Sequence, residues 1–167
     1  MSDETTASEW DQKLRNVLPL FGHRNWIVVA DAAYPMQSNP GIETIFADAD
    51  STRVLQTVVD SIAASTHVCA RVYLDAELRL VAEEDAHGVA KYQQQLDELL
   101  QHGSPVQLPH EQIIAKLDES AKLFRILIIK TPMTIPYTSV FFELDCSYWN
   151  AAFEQRLRAA MNPNGAD

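Results

Sequence analysis

The sequence predicts an α/β fold, a single-domain three-layer sandwich in which helices cover both faces of a mostly parallel central sheet. Three observations lead there. Two short apolar runs, Trp26–Ala30 and Phe124–Ile129, are bounded by turn residues and suit strands covered on both faces. Amphipathic helical segments alternate with strand candidates, without internal repeats or a linker. The 167 residues, 47% of them hydrophobic, fit one domain of ordinary size with a real core.

Each element has its own signal. Ser8 is a helix cap candidate, with Trp10, Leu14, Val17 and Leu18 on one face. Gly22, in Phe21-Gly22-His23, takes the usual helix-stop position. The buried run Trp26–Ala30 follows and Asp31 closes it. Pro35 to Gly41 is rich in turn formers and predicts a loop. Ile42 to Phe46 is a short strand. Ser51 is placed to cap a helix carrying Val54, Leu55, Val58, Val59 and Ile62. His67 to Leu74 reads as a strand, and Leu78 to Ala82 as another strand or as part of a longer hairpin. Val89 to Gln101 is a helix with Tyr92, Leu96, Leu99 and Leu100 inward. Val106 to Leu108 is a strand, and His110 to Lys122 a helix. Two prolines make Thr131 to Pro136 a loop before a last strand, Tyr137 to Leu144. A final helix, Ser147 to Ala160, carries an apolar stripe of Trp149, Phe153 and Leu157, suited to core packing or a subunit contact. The resulting organisation is a polar tail over 1–12, a domain over 13–145, a helical extension over 146–161 and a tail over 162–167.

Composition excludes several partner classes. The net charge is -10, and no cluster of Lys and Arg exists to neutralise phosphates, which argues against nucleic acid and anionic membranes. A neutral or cationic small molecule, or another protein, is the natural partner. Cys69 and Cys146 form neither a CxxC pair nor a zinc spacing. No apolar run reaches transmembrane length, and the acidic start is unlike a signal peptide, so a cytoplasmic location is expected. Neither GxGxxG nor GxxxxGK[ST] occurs, nor GxSxG, nor HExxH. The expectation is therefore an activity without cofactor or metal.

The remaining candidates are polar residues beside predicted strands. In open α/β sheets ligands bind beyond the carboxyl ends of strands, which points at Asp31 and its loop. Asp31 is suited to capping the strand end, to holding sugar hydroxyls or to orienting His23. A histidine both gives and takes protons near neutral pH, so His23 is a candidate acid/base. Each also has an ordinary structural role open to it, as loop residue or turn former. His110 opens a helix before Glu111 and Gln112. Tyr137 starts a strand and suits a half-buried packing position. Tyr34 offers an aromatic face for a sugar ring or an anchor for its loop.

In order, these residues resemble those of the D-ribose pyranase / L-fucose mutarotase family. Phe21-Gly22-His23 and Ile27 to Pro35, IVVADAAYP, are similar to the family's Gly-His and Asp-Ala-x-aromatic-Pro signature. His110-Glu111-Gln112 resembles its second-histidine region. Tyr137-Thr138-Ser139 lies where the family has Tyr-x-Asn, with Ser139 replacing the Asn. The resemblance runs from about Leu14 to about Leu144. It implies a ribose pyranase-like fold and a cofactor-independent isomerase that interconverts anomers, or pyranose and furanose forms, of a free ribose- or fucose-like sugar. It implies His23 and Asp31 as catalytic residues and His110, Tyr137, Ser139 and Tyr34 as substrate-binding ones. It further implies a ring-like homo-oligomer, such as a decamer, whose subunits complete each other's sites, with Tyr137 reaching in from a neighbour. The other readings are a non-catalytic sugar-binding or regulatory protein on the same scaffold, and a structural oligomer subunit.

Overall fold

The computed structural model describes residues 7–163; residues 1–6 and 164–167, within the two expected tails, lie outside the described residues. In chain order the elements are α1 (Glu9–Val17), β1 (Trp26–Ala30), β2 (Ile42–Phe46), α2 (Ser51–Ala64), β3 (Val68–Asp75), α3 (Val89–Leu99), β4 (Val106–Leu108), α4 (His110–Ala121), β5 (Ile126–Lys130), β6 (Val140–Cys146) and α5 (Ala151–Met161).

Several local expectations need correction. Trp10 and Leu14 are buried in α1, so a boundary at residue 12 falls inside a packed helix. Ser8 occupies the cap position of α1 without a side-chain cap bond. That helix tightens into a 3-10 turn at Leu18–Leu20, which contains Pro19, and it is Arg24, not Gly22, that adopts a left-handed φ of 74°. Asp50 caps α2, its carboxylate accepting from the Thr52 N–H at 3.0 Å. The segment Leu78 to Ala82 is no strand. The outer edge of β3 is taken by β4, and Ala76–Leu80 forms a 3-10 helix that buries Leu78.

The six strands form one sheet in the order β2-β5-β1-β6-β3-β4. Five run in one direction and β6 runs against its neighbours β1 and β3. Chain length dictates this exception. Only residues 131–139 connect β5 to β6, short of the roughly dozen residues that a parallel crossover needs.

Side chains alternate across β1 and define two cores. Trp26, Val28 and Ala30 pack with Ile126, Ile128 and Phe141 beneath Ile113 and Leu117 of α4. Ile27 and Val29 pack with Leu127, Ile129 and Phe142 beneath residues of α1, α2 and α3. Each such buried aliphatic or aromatic side chain contributes about 1.5–3 kcal/mol. Together the layers hold the strand ends, and any residue attached to them, in fixed relative positions.

Cys69 stands opposite Asp145 and Cys146 opposite Val68, so the two thiols point to opposite sheet faces and both are free. No helix among the described residues is long and apolar enough to cross a membrane.

Candidate functional site

Strand direction decides which polar residues meet. β1, β3 and β4 end at one edge of the sheet, and β6, running the other way between β1 and β3, begins there. Asp31 after β1, Tyr137 and Ser139 before β6, Asp75 at the end of β3 and His110 after β4 therefore stand side by side. Neighbouring positions in this row are separated by about one strand spacing, ~4.8 Å. This is the edge at which α/β sheets bind ligands.

A histidine-carboxylate pair forms one end of the row. His110 Nδ1 lies 2.9 Å from Asp75 Oδ1. With the proton on Nδ1 donated to the carboxylate, Nε2 is left free to take or give a proton. Glu77 fixes the other end of the residue. Its two carboxylate oxygens accept from the His110 backbone N–H at 3.0 and 3.1 Å, which also places a negative charge at the amino end of α4. The Asp75 side chain is 1% exposed, against 30% for His110. Burial pushes the Asp75 carboxyl up to about 6, against the opposing pull of His110, and the nearby carboxylates Glu77 and Asp31 add to the rise. Its second oxygen, Oδ2, is buried without a hydrogen-bond partner.

Beside this pair, Asp31 is held by Ser139. The Ser139 hydroxyl donates to Asp31 Oδ1 at 3.1 Å and accepts from the Asp31 N–H at 3.2 Å. Ser139 is buried and both roles of its hydroxyl are used, so it positions Asp31 and presents nothing to a ligand. Asp31 itself is half-buried and keeps accepting capacity. The loop after it is pinned to the neighbouring loop by the Ala32 N–H donating to Met133 O at 2.7 Å.

Tyr137 forms the outer rim. It is exposed, and its ring meets His110 of the same chain edge-on at 6.0 Å between centroids. A neighbour is thus not required to bring Tyr137 to this histidine. Its φ of 60° lies in the left-handed region, which costs a non-glycine residue roughly 1–2 kcal/mol. Tyr34 is placed differently from its sequence expectation. Its ring is buried against Phe141, tilted at 6.4 Å, and offers no face for stacking on a sugar. It anchors the loop after Asp31. Its hydroxyl is buried without a partner, and that burial raises its pKa.

His23 is not part of this row. It precedes β1, whereas Asp31 follows it, and the five residues of β1 separate them by roughly 16 Å. Asp31 therefore does not orient His23 within one chain. Asp145 does, with His23 Nδ1 2.7 Å from Asp145 Oδ1 near the end of β6. Both members of this second histidine-carboxylate pair are well exposed. Arg24 flanks it, donating from Nε to His23 Nε2 at 3.2 Å.

Asp75, Glu77 and Asp145 were not singled out by the sequence. Asp75 carried a usable signal, since it closes an apolar strand end, Val-Tyr-Leu-Asp, much as Asp31 closes Val-Val-Ala-Asp. Glu77 and Asp145 carried none, because their roles depend on how β3, β4 and β6 are ordered in space.

Residues 10–146 match the model of the RbsD / FucU transport protein family. The chain belongs to that family. Its solved relatives share the fold at low identity. The structure of Bacillus subtilis RbsD complexed with D-ribose has a TM-score of 0.59 at 16% identity, covering 87% of this chain and 98% of that one. The fucose mutarotase of Streptococcus pneumoniae in complex with L-fucose has a TM-score of 0.54 at 19% identity, covering 80% and 91%. FucU from Bifidobacterium longum has a TM-score of 0.54 at 15% identity, covering 80% and 94%. No curated sequence matches the chain. The RbsD / FucU match ends at Cys146, so α5 lies beyond it.

Proposed function

We propose that the chain is a cofactor-independent sugar isomerase that opens and recloses the ring of a free ribose- or fucose-like monosaccharide. The observation that carries this reading is the row of Asp31, Tyr137, Asp75 and His110 at the carboxyl edge, in a chain of the RbsD / FucU family. Two of that family's fold relatives were solved with D-ribose and L-fucose. Ring opening requires a proton to leave the anomeric hydroxyl and one to reach the ring oxygen as the bond from that oxygen to the anomeric carbon breaks. The open aldehyde then recloses on its other face or through another hydroxyl. Nothing is oxidised or reduced, and protons are the only cargo.

His110 Nε2 exchanges one of these protons, with Asp75 holding the ring in the required tautomer. Asp31, fastened by Ser139, accepts hydrogen bonds from sugar hydroxyls, and Tyr137 closes the rim. The second proton is handled by His23 of a neighbouring copy, held by Asp145; the His23 Nε2 exchanges its exposed bond from Arg24 for one to the sugar. The two histidine-carboxylate pairs lie at opposite edges of one chain, so a head-to-tail contact places one copy's His23 over the next copy's His110. Contacts of this kind close into rings, and a decamer of such rings belongs to the same proposal. Exposed apolar side chains at both edges support it: Leu20 before β1, and Met36 and Leu80 beyond β1 and β3.

A non-catalytic monosaccharide binder is the second reading. It is favoured by Ser139, whose buried hydroxyl donates to and accepts from Asp31 where the sequence resemblance has an amide. Titration of the ¹⁵N-labelled protein with D-ribose and L-fucose tests the site common to both readings. The expected result is chemical-shift change concentrated at Asp31, Asp75, His110 and Tyr137, with further change near His23. Shifts confined to residues of α2 and α3, or no shift with either sugar, would remove the site from consideration.

A further inference from the structure

The body of the domain has an unfilled slot. On the sheet face covered by α1, α2 and α3, residues of α2, α3 and β3 line a groove of about 1090 Å³. Its floor is the apolar side of β3, Ala70 and Val72, and its walls include Val59 and Ala63 of α2 and Leu99 of α3. Ala70, Val72, Val59 and Leu99 are only partly buried although they adjoin the core. An apolar sheet face is stable when another element covers it.

The chain also has an unseated helix. None of the residues of α5 is buried. Phe153, Leu157 and Met161 recur every four residues along α5, Trp149 meets Phe153 edge-on at 5.5 Å between centroids just before the helix, and the exposures of Trp149, Phe153, Leu157 and Met161 are 45%, 39%, 45% and 64%. With eleven residues, α5 has the length of α3, one wall of the groove. Charge agrees with shape. Through Glu154, Arg156 and Arg158, α5 carries a net charge of about +1, while the rest of the chain carries about -11, from a total of -10. Among α1 to α5 it alone is net cationic. The groove rim bears Asp60 and Glu98 against one arginine, Arg53.

We infer that α5 of one copy seats its Trp149–Phe153–Leu157 stripe in the α2/α3 groove of a second copy. Its own groove is disfavoured by the way the helix leaves the body. Ser147 is tied to the sheet edge, its N–H donating to His67 O at 3.1 Å and its hydroxyl to Thr66 O at 2.8 Å. Asn150 caps α5 through the Phe153 N–H at 2.9 Å, and Trp149 Nε1 donates to Glu154 at 2.8 Å. Only Tyr148 and Trp149 lie between the two anchors, and with this departure fixed no residue of α5 is buried and none lines its own groove. The contact is separate from the carboxyl-edge row, none of whose residues lines the groove.

The test uses the full chain with Cys69→Ser and Cys146→Ser, into which Ala63→Cys and Leu157→Cys are introduced. After mild oxidation without sugar, electrophoresis under denaturing, non-reducing conditions is expected to show covalent dimers and longer ladders. Adding Phe153→Glu is expected to abolish them; since α5 buries nothing in its own body, that substitution leaves the fold intact. Monomers closed by an internal disulfide would assign α5 to its own groove and overturn the exchange. Free thiols after oxidation, or a ladder that survives Phe153→Glu, would overturn docking in the groove altogether. Sugar-binding measurements on the same samples report separately on the carboxyl-edge site.

Discussion

Asp75→Asn is expected to slow anomer exchange by ~10–100-fold, as loss of a residue that orients a reacting histidine does, while making the fold more stable at neutral pH. Loss of His110 itself is expected to cost more, ~10²–10⁴-fold. The stability effect follows from burial. The folded carboxyl sits at about 6, and an unfolded aspartate near ~3.9. Between those values the folded chain binds more protons than the unfolded one. The group's favourable contribution is therefore full below pH ~4 and is lost as pH rises through about 6, by roughly 2–3 kcal/mol. Asn cannot ionise, so chemical denaturation of the variant should show no such fall between pH 4 and 7. Part of the gain is offset by the weaker hydrogen bond to His110, leaving about 1–2 kcal/mol at pH 7. The wild-type rate should rise with pH through about 6 as Asp75 ionises and holds His110, and the variant should lose that limb. A purely structural Asp75 would change stability and leave the shape of the pH profile alone.

His23→Ala and His110→Ala, each nearly inactive alone, are expected to recover activity when co-expressed in mixed oligomers. A site built from His23 of one copy and His110 of the next keeps both histidines in about one case in four under random mixing, so about a quarter of the wild-type rate should return. No recovery from the mixture would mean that the histidines do not cooperate across copies. Full activity of His23→Ala alone would remove His23 from the reaction. The distance along β1 leaves no third arrangement, because neither histidine of one chain reaches the other edge.

Much of the fold was legible because its signals are local. The buried runs of β1 and β5 and the helical periods of α2, α3 and α4 appear where the sequence places them. The direction of β6 is set by the connection over 131–139, which is too short for a crossover. The site was legible only in part. Asp31, His110 and Tyr137 do come together, because β1, β4 and β6 share an edge. What local sequence cannot state is which strands are neighbours, and that order gives His110 its Asp75 and His23 its Asp145. For the same reason Ser139 and Tyr34, both plausible ligand contacts from their side chains, turn inward: one binds Asp31 and the other packs on Phe141. The stripe of α5 was visible in sequence, whereas the groove that fits it is assembled from α2, α3 and β3 and has no sequence pattern of its own.

Ring-form exchange measured by saturation-transfer NMR, on a panel of monosaccharides that includes D-ribose and L-fucose, tests the central claim most directly. Wild-type protein is expected to accelerate exchange between ring forms of at least one sugar over buffer, and His110→Ala to return that exchange toward the buffer rate. Exchange at the buffer rate for every sugar in the panel, by a folded protein that binds one of them, would contradict catalysis and establish the site as one that only binds.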